Sequence, residues 1–149
     1  MIGMSDKCFV DSNLFIYGLV QSQQASERWK SDAAQDLLAG VIAQANVVVS
    51  PQIINECHYV MTRKFKLEDD RAYSLINEGI LSIASLAPLS VSTYHQAFEL
   101  RKAYHFSFWD SLAIASALQV GCKCFFSEDL QHQLVLQNQM TILNPFLTK

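Results

Sequence analysis

The stretch AAQDLLAGVIAQANVVVSPQIINEC, residues 33–57, decides the reading of the fold. Its first half sets Ala34, Leu37, Leu38, Val41, Ile42 and Ala45 at the i, i+3, i+4, i+7, i+8 and i+11 spacing of one helical face. Residues 47–50 form a short apolar run that reads as a buried strand. Ser50 and Pro51 then start a second helix, since serine suits the N-cap and proline the first helical position. Its apolar stripe is Ile53, Ile54, Cys57, Val60 and Met61, and it ends in the basic segment of Arg63, Lys64 and Lys66. The same alternation extends in both directions. Strand-like runs occupy 8–10, 86–91, 124–127 and 141–143, and helices are expected over 69–83, 92–104 and 111–120, the last free of charge and closed by Gly121. Strands separated by helices imply βαβ units, a parallel sheet and helices on both of its faces.

The 149 residues make a single domain spanning 1–149, with no internal repeat or linker. Half of the residues are hydrophobic and 17% are charged, which excludes intrinsic disorder. Cys8, Cys57, Cys122 and Cys124 are read as reduced core thiols, because a chain of this size needs no disulfide staples and the Cys122-x-Cys124 pair lacks partners at zinc spacing. Neither a secretory leader nor a membrane span is expected, and the protein is read as cytoplasmic. Met4 is a possible alternative start. The net charge of −3 argues at first sight against a nucleic-acid partner.

In doubly wound sheets a ligand site forms beyond the carboxyl ends of the strands. Acids stand there repeatedly. Asp11 follows the first strand, Glu56 lies in the helix leaving the second, Asp110 opens the uncharged helix, and Asp129 follows 124–127. Each has a plain structural explanation taken alone. Asp11 can cap the next helix, Ser107 and Asp110 fit a capping box, and Asp129, like Glu128, can be a turn residue. Glu56 sits at the margin of its apolar stripe and, half buried, wants a partner. Taken together, four carboxylates at one sheet edge repel one another, and a pair about 5 Å apart costs roughly 3 kcal/mol at an effective dielectric of 20. Cations relieve that cost, and oxygen-only donors suit Mg²⁺ or Mn²⁺.

Phe9-Val10-Asp11-Ser12-Asn13, Ile54-Asn55-Glu56, Phe108-Trp109-Asp110-Ser111-Leu112 and Ser127-Glu128-Asp129 resemble, in order and separation, the four motifs of the PIN domain. The resemblance covers nearly the whole chain. It implies a three-layer α/β/α fold with a five-stranded parallel sheet and a Mg²⁺- or Mn²⁺-dependent endoribonuclease. It also implies the role of a VapC-type toxin with a cognate antitoxin, and a homodimer. Asp11, Glu56, Asp110 and Asp129 would be the catalytic, metal-holding quartet, supported by Asn13 and Ser127. The products implied carry a 5′-phosphate and a 3′-hydroxyl. Metal-activated water hydrolyses a phosphodiester without any side-chain nucleophile, which suits a site made of acids.

Arg63, seven positions after Glu56 and so on the same helical face, is the expected phosphate contact. Lys64, Lys66, Arg71, Arg101 and Lys102 are further basic candidates, read first as solvated surface. His58, His95 and His105 are read as surface or core-edge residues; His132, three residues after Asp129, is within reach of the substrate but is read first as an exposed loop residue. Trp29, Tyr59, Phe98, Tyr104 and Trp109 are expected in the core or a dimer face rather than against bases. The motifs of dinucleotide-binding, P-loop and serine-hydrolase folds are absent. The remaining alternative is a non-catalytic PIN-like module that binds RNA or protein. Keeping four mutually repelling acids argues against it. Two divalent ions would change the formal charge from −3 to +1, so RNA binding is expected only with the metals loaded.

Overall fold

A computed structural model describes residues 6–20 and 25–147. The strands are β1 (Lys7–Val10), β2 (Asn46–Val49), β3 (Ala84–Leu86), β4 (Cys124–Phe126), β5 (Val135–Leu136) and β6 (Met140–Leu143). The helices are α1 (Ser12–Leu19), α2 (Arg28–Gln44), α3 (Pro51–Arg63), α4 (Asp69–Ile76), α5 (Val91–Tyr104) and α6 (Phe108–Gln119). The sheet order is β3-β2-β1-β4-β6-β5. The five longer strands run parallel, as expected from the alternation of strands and helices. A sixth, β5, pairs antiparallel with β6 through Val135 and Leu136. At two residues it is too short to stand out in the sequence.

Three elements depart from the sequence reading. The third strand, expected at 86–91, lies at Ala84–Leu86. The Ala87 amide still donates to Val49 O at 2.7 Å, but Pro88 has no N–H to give, and Ser90 and Thr93 form a reciprocal capping box that starts α5. The helix expected over 69–83 ends its regular turns at Ile76 and widens over Asn77–Leu81, where the Ser82 amide reaches back to Asn77 O. Gly79 in that turn faces Leu19, and a β-carbon there would stand 2.6 Å from a Leu19 methyl. In α2, Ala34, Leu38 and Val41 are buried while Ile42 is 46% exposed, because it stands roughly 80° from Ala34 around the helix.

The ends of α3 and α6 follow the sequence more closely. Pro51 opens α3, and Ser50 holds the N-cap position without a side-chain cap bond. Ser107 caps α6, its hydroxyl accepting from the Asp110 amide at 3.1 Å. Gly121 at φ +81° closes α6 with two bonds, Gly121 N–H to Leu118 O and Cys122 N–H to Ala117 O, the paired pattern of a Schellman motif. Ser111 and residues 113–118 are buried, as the absence of charge required. At the sheet centre Phe9 and Phe125 stack at 4.8 Å between ring centres, and all four cysteines are buried free thiols. Among the described residues no helix is long and apolar enough to cross a membrane.

Phe9→Ala is expected to lower unfolding free energy by about 3–5 kcal/mol, and Gly121→Ala by about 1 kcal/mol through strain at positive φ. Urea denaturation at constant m-value checks both.

Candidate active site

Each acid is delivered by a different element. Asp11 is the N-cap of α1, its Oδ1 accepting from the Ser12 amide at 2.8 Å. Glu56 lies in α3, Asp110 in the first turn of α6, and Asp129 in the loop after β4. All four line one cleft of about 960 Å³ at the carboxyl end of the sheet. Among the described residues that line it there is no lysine, arginine or histidine.

Hydroxyl and amide donors orient three of the four carboxylates. Ser127 Oγ donates to Asp11 Oδ2 at 2.8 Å and accepts from the Asp129 amide at 3.2 Å. Asn13 Nδ2 donates to Asp129 Oδ2 at 3.2 Å. These are the supporting positions expected from the sequence. Two further donors escaped it: Ser12 Oγ reaches Glu56 Oε2 at 3.1 Å, and Gln52 Nε2 reaches Glu56 Oε1 at 2.8 Å. Gln52 also donates to Trp109 O at 3.1 Å and so joins α3 to α6. The i, i+4 spacing of Gln52 and Glu56 was a visible signal for one of them. Among the described residues no side chain donates to the Asp110 carboxylate.

Burial pushes the Asp11 carboxyl up to about 6, the nearby Glu56 and Asp110 charges add to the rise, and the bonds from Ser127 and Ser12 oppose it. The unmatched atoms are of one kind. Asn13 Oδ1 and Gln52 Oε1 are buried without a partner, so both the carboxylates and the spare polar atoms here are oxygen acceptors. That donor set fits a hard cation. The carboxylates share a cleft without closing on a single point, since among the described residues no three His, Cys, Asp or Glu side chains form a ready ion cage.

Other candidates sit elsewhere. Arg63 does not line the cleft; its guanidinium lies 5.6 Å from the ring centre of Tyr59, which does. Lys64 lines a smaller adjoining hollow with Ser12 and Asn13. His132 is no exposed loop residue, because its Nδ1 accepts from the Asn144 amide at 2.9 Å and anchors the C-terminal segment. Glu128 is likewise more than a turn residue. It accepts from Tyr17 and pairs with Lys30, which sits among the rings of Tyr17, Trp29 and Phe146. His58 pairs with Asp69 at 3.0 Å.

The PIN domain family model matches residues 8–135. The chain belongs to the PIN domain family. That span takes in all four acids of this PIN domain. Its fold is similar to VapBC2 of Rickettsia felis bound to a DNA fragment from their promoter, at 13% identity and a TM-score of 0.63, over 83% of this chain and 88% of that one. It is similar to VapC20 of Mycobacterium tuberculosis, a sarcin-ricin loop cleaving toxin, at 19% identity and 0.63, over 82% and 91%. A toxin-antitoxin complex from Klebsiella pneumoniae matches at 14% identity and 0.64, over 93% and 97%. No curated protein sequence matches the chain with significance.

The raised Asp11 carboxyl fixes the sign of a pH effect. Its folded pKa lies above the unfolded value, so its stabilising contribution is complete below pH 4 and is lost as pH rises through about 6. In EDTA, the unfolding free energy is therefore expected to fall between pH 4 and 7. Asp11→Asn should flatten that slope and raise stability at pH 7 by on the order of 1–3 kcal/mol. Urea titrations at several pH values measure both.

Proposed function

We propose that this PIN domain is a Mg²⁺- or Mn²⁺-dependent endoribonuclease acting as the toxin of a toxin-antitoxin pair. One observation carries the reading: four carboxylates from four separate elements line a single cleft in which no cationic side chain lies among the described residues. Asp11, Glu56, Asp110 and Asp129 would hold one or two divalent ions. When bound, such an ion lowers the pKa of a water and offsets the charge that builds on the phosphate. The protein's own part is positional. Ser127 and the Ser12 amide hold Asp11, Asn13 holds Asp129, and Ser12 with Gln52 holds Glu56, so that three acids keep their orientation against mutual repulsion.

Arg63 serves as a phosphate contact at the mouth, where Tyr59 carries its guanidinium. A homodimer is supported by α5, which exposes Val91, Tyr94 and Phe98 at the i, i+3, i+7 spacing of one face. The solved neighbours that pair a toxin with an antitoxin support a small cognate protein as partner.

The test is cleavage of a mixed RNA pool with Mn²⁺ or Mg²⁺. Asp11→Asn and Asp110→Asn should each cost at least about 100-fold in kcat, EDTA should abolish turnover, and the products should carry 5′-phosphates. Metal-independent cleavage, or full activity in both variants, would overturn the reading. It would equally fail if the pool bound with metal and stayed intact, which is the behaviour of a non-catalytic binding module. Arg63→Glu should raise KM for RNA roughly ten-fold or more while metal affinity, measured by calorimetry, stays the same.

A further inference from the structure

Of the aromatic residues read as core or dimer-face residues, two stand outside the core beside the cleft. Tyr59 is 62% exposed and Trp109 is 63% exposed, and both line the cleft. The same fold buries Phe9, Phe15 and Phe125 completely, so Tyr59 and Trp109 stand apart from the aromatic core. An indole and a phenol ring exposed beside a polar site offer large flat apolar faces to whatever enters it.

Both rings are rooted on the acids. Trp109 immediately precedes Asp110, and Tyr59 follows Glu56 by three residues on the same side of α3. Gln52 fixes the two roots together, one amide nitrogen serving Glu56 Oε1 and Trp109 O. Behind Trp109 the rings continue, with Phe108 edge-on at 5.2 Å and Tyr94 edge-on to Phe108 at 6.3 Å. The indole is thereby backed by packing and keeps its outer surface free. The other wall carries Tyr59, whose ring pairs with the Arg63 guanidinium just outside the cleft lining. Gln52 Oε1, buried and without a partner, adds an unmatched acceptor between the two walls.

We propose that Tyr59 and Trp109 are stacking surfaces for unpaired nucleobases flanking the phosphodiester held at the acids. The proposal rests on the nuclease reading and narrows it to RNA whose bases are free to leave a helix. A base inside a duplex presents no face to an aromatic ring, whereas a single-stranded segment or a loop does. Stacking on rings is tolerant of sequence, so these two residues select for strandedness and position the chain. A second protein chain covering Trp109 is the competing account.

The experiment compares two ligands of equal length and charge, a hexamer of oligoadenylate and a ribose-phosphate hexamer without bases. Binding is followed in Ca²⁺ with the full chain in a Trp29→Phe background, which leaves Trp109 as the one indole. The expected result is quenching of Trp109 by oligoadenylate and not by the abasic chain, with an affinity ratio of about five- to hundred-fold. Trp109→Leu and Tyr59→Leu should each reduce that ratio, together bringing it to within about two-fold, while Trp109→Phe retains most of it. A ratio unchanged by the leucine variants overturns the proposal. So does a change in oligomeric state by light scattering in Trp109→Leu with the ratio intact, which assigns the indole to a protein interface. RNA cleavage by the parent with a ratio near one removes the stacking and leaves the nuclease standing. No binding of either hexamer and no cleavage of the RNA pool removes both.

Discussion

Strands β1 and β4 lie side by side in parallel register, Cys8 opposite Cys124, Phe9 opposite Phe125 and Val10 opposite Phe126, and the geometry of the cleft follows from that pairing. The Asp11 amide continues the ladder onto Phe126 O at 2.9 Å. One step further, Ser127 meets Asp11 and also receives the Asp129 amide. The Phe9 and Phe125 rings stacked beneath lock the register from the core side. A slip of one residue would turn Asp11 and Ser127 to opposite faces of the sheet and separate the acids they organise.

The site sets charge against stability. Unlike charges are absent from the cleft wall among the described residues, and the Glu56 and Asp110 charges add to the cost of ionising Asp11. At Asp11 burial is the larger cause of that cost. Donors from Ser127 and the Ser12 amide each favour the charged form, at roughly 1.5–3 kcal/mol for a hydrogen bond to a charged group. They moderate the repulsion without removing it, which leaves a cleft whose electrostatics favour a cation. The overall charge of −3, which seemed unsuited to RNA, has part of its origin in this one place.

Much of the site was legible from residue type and position. Asp11 and Asp129 stood after strands, Asp110 at a helix start and Glu56 in the helix leaving the second strand, with Asn13 and Ser127 beside them in the chain, so topology brought them together. Ser12 and Gln52 were harder to see. Their roles depend on contacts between α1, α3 and α6 that no local spacing encodes, apart from the i, i+4 relation of Gln52 to Glu56. Tyr59 and Trp109 were read as core or dimer-face residues because large rings usually go inside, and only the packed surface shows that these two stand outside the core. Pro88 and the Ser90 and Thr93 cap, by contrast, were readable local signals that outweighed the apolar run at 86–91.

By itself the sequence determined the alternation of strands and helices, the parallel sheet, the burial of α6 and the gathering of four acids at one sheet edge, because periodicity and capping act over a few residues. It also determined membership in the PIN domain family through motifs spread along the chain. Tertiary structure decided the antiparallel β5, the widened turn at Asn77–Leu81, the removal of Arg63 from the cleft wall and the exposure of Tyr59 and Trp109. Those outcomes turn on which surfaces of separate helices meet, and a side chain's final burial is fixed by neighbours that are distant in sequence.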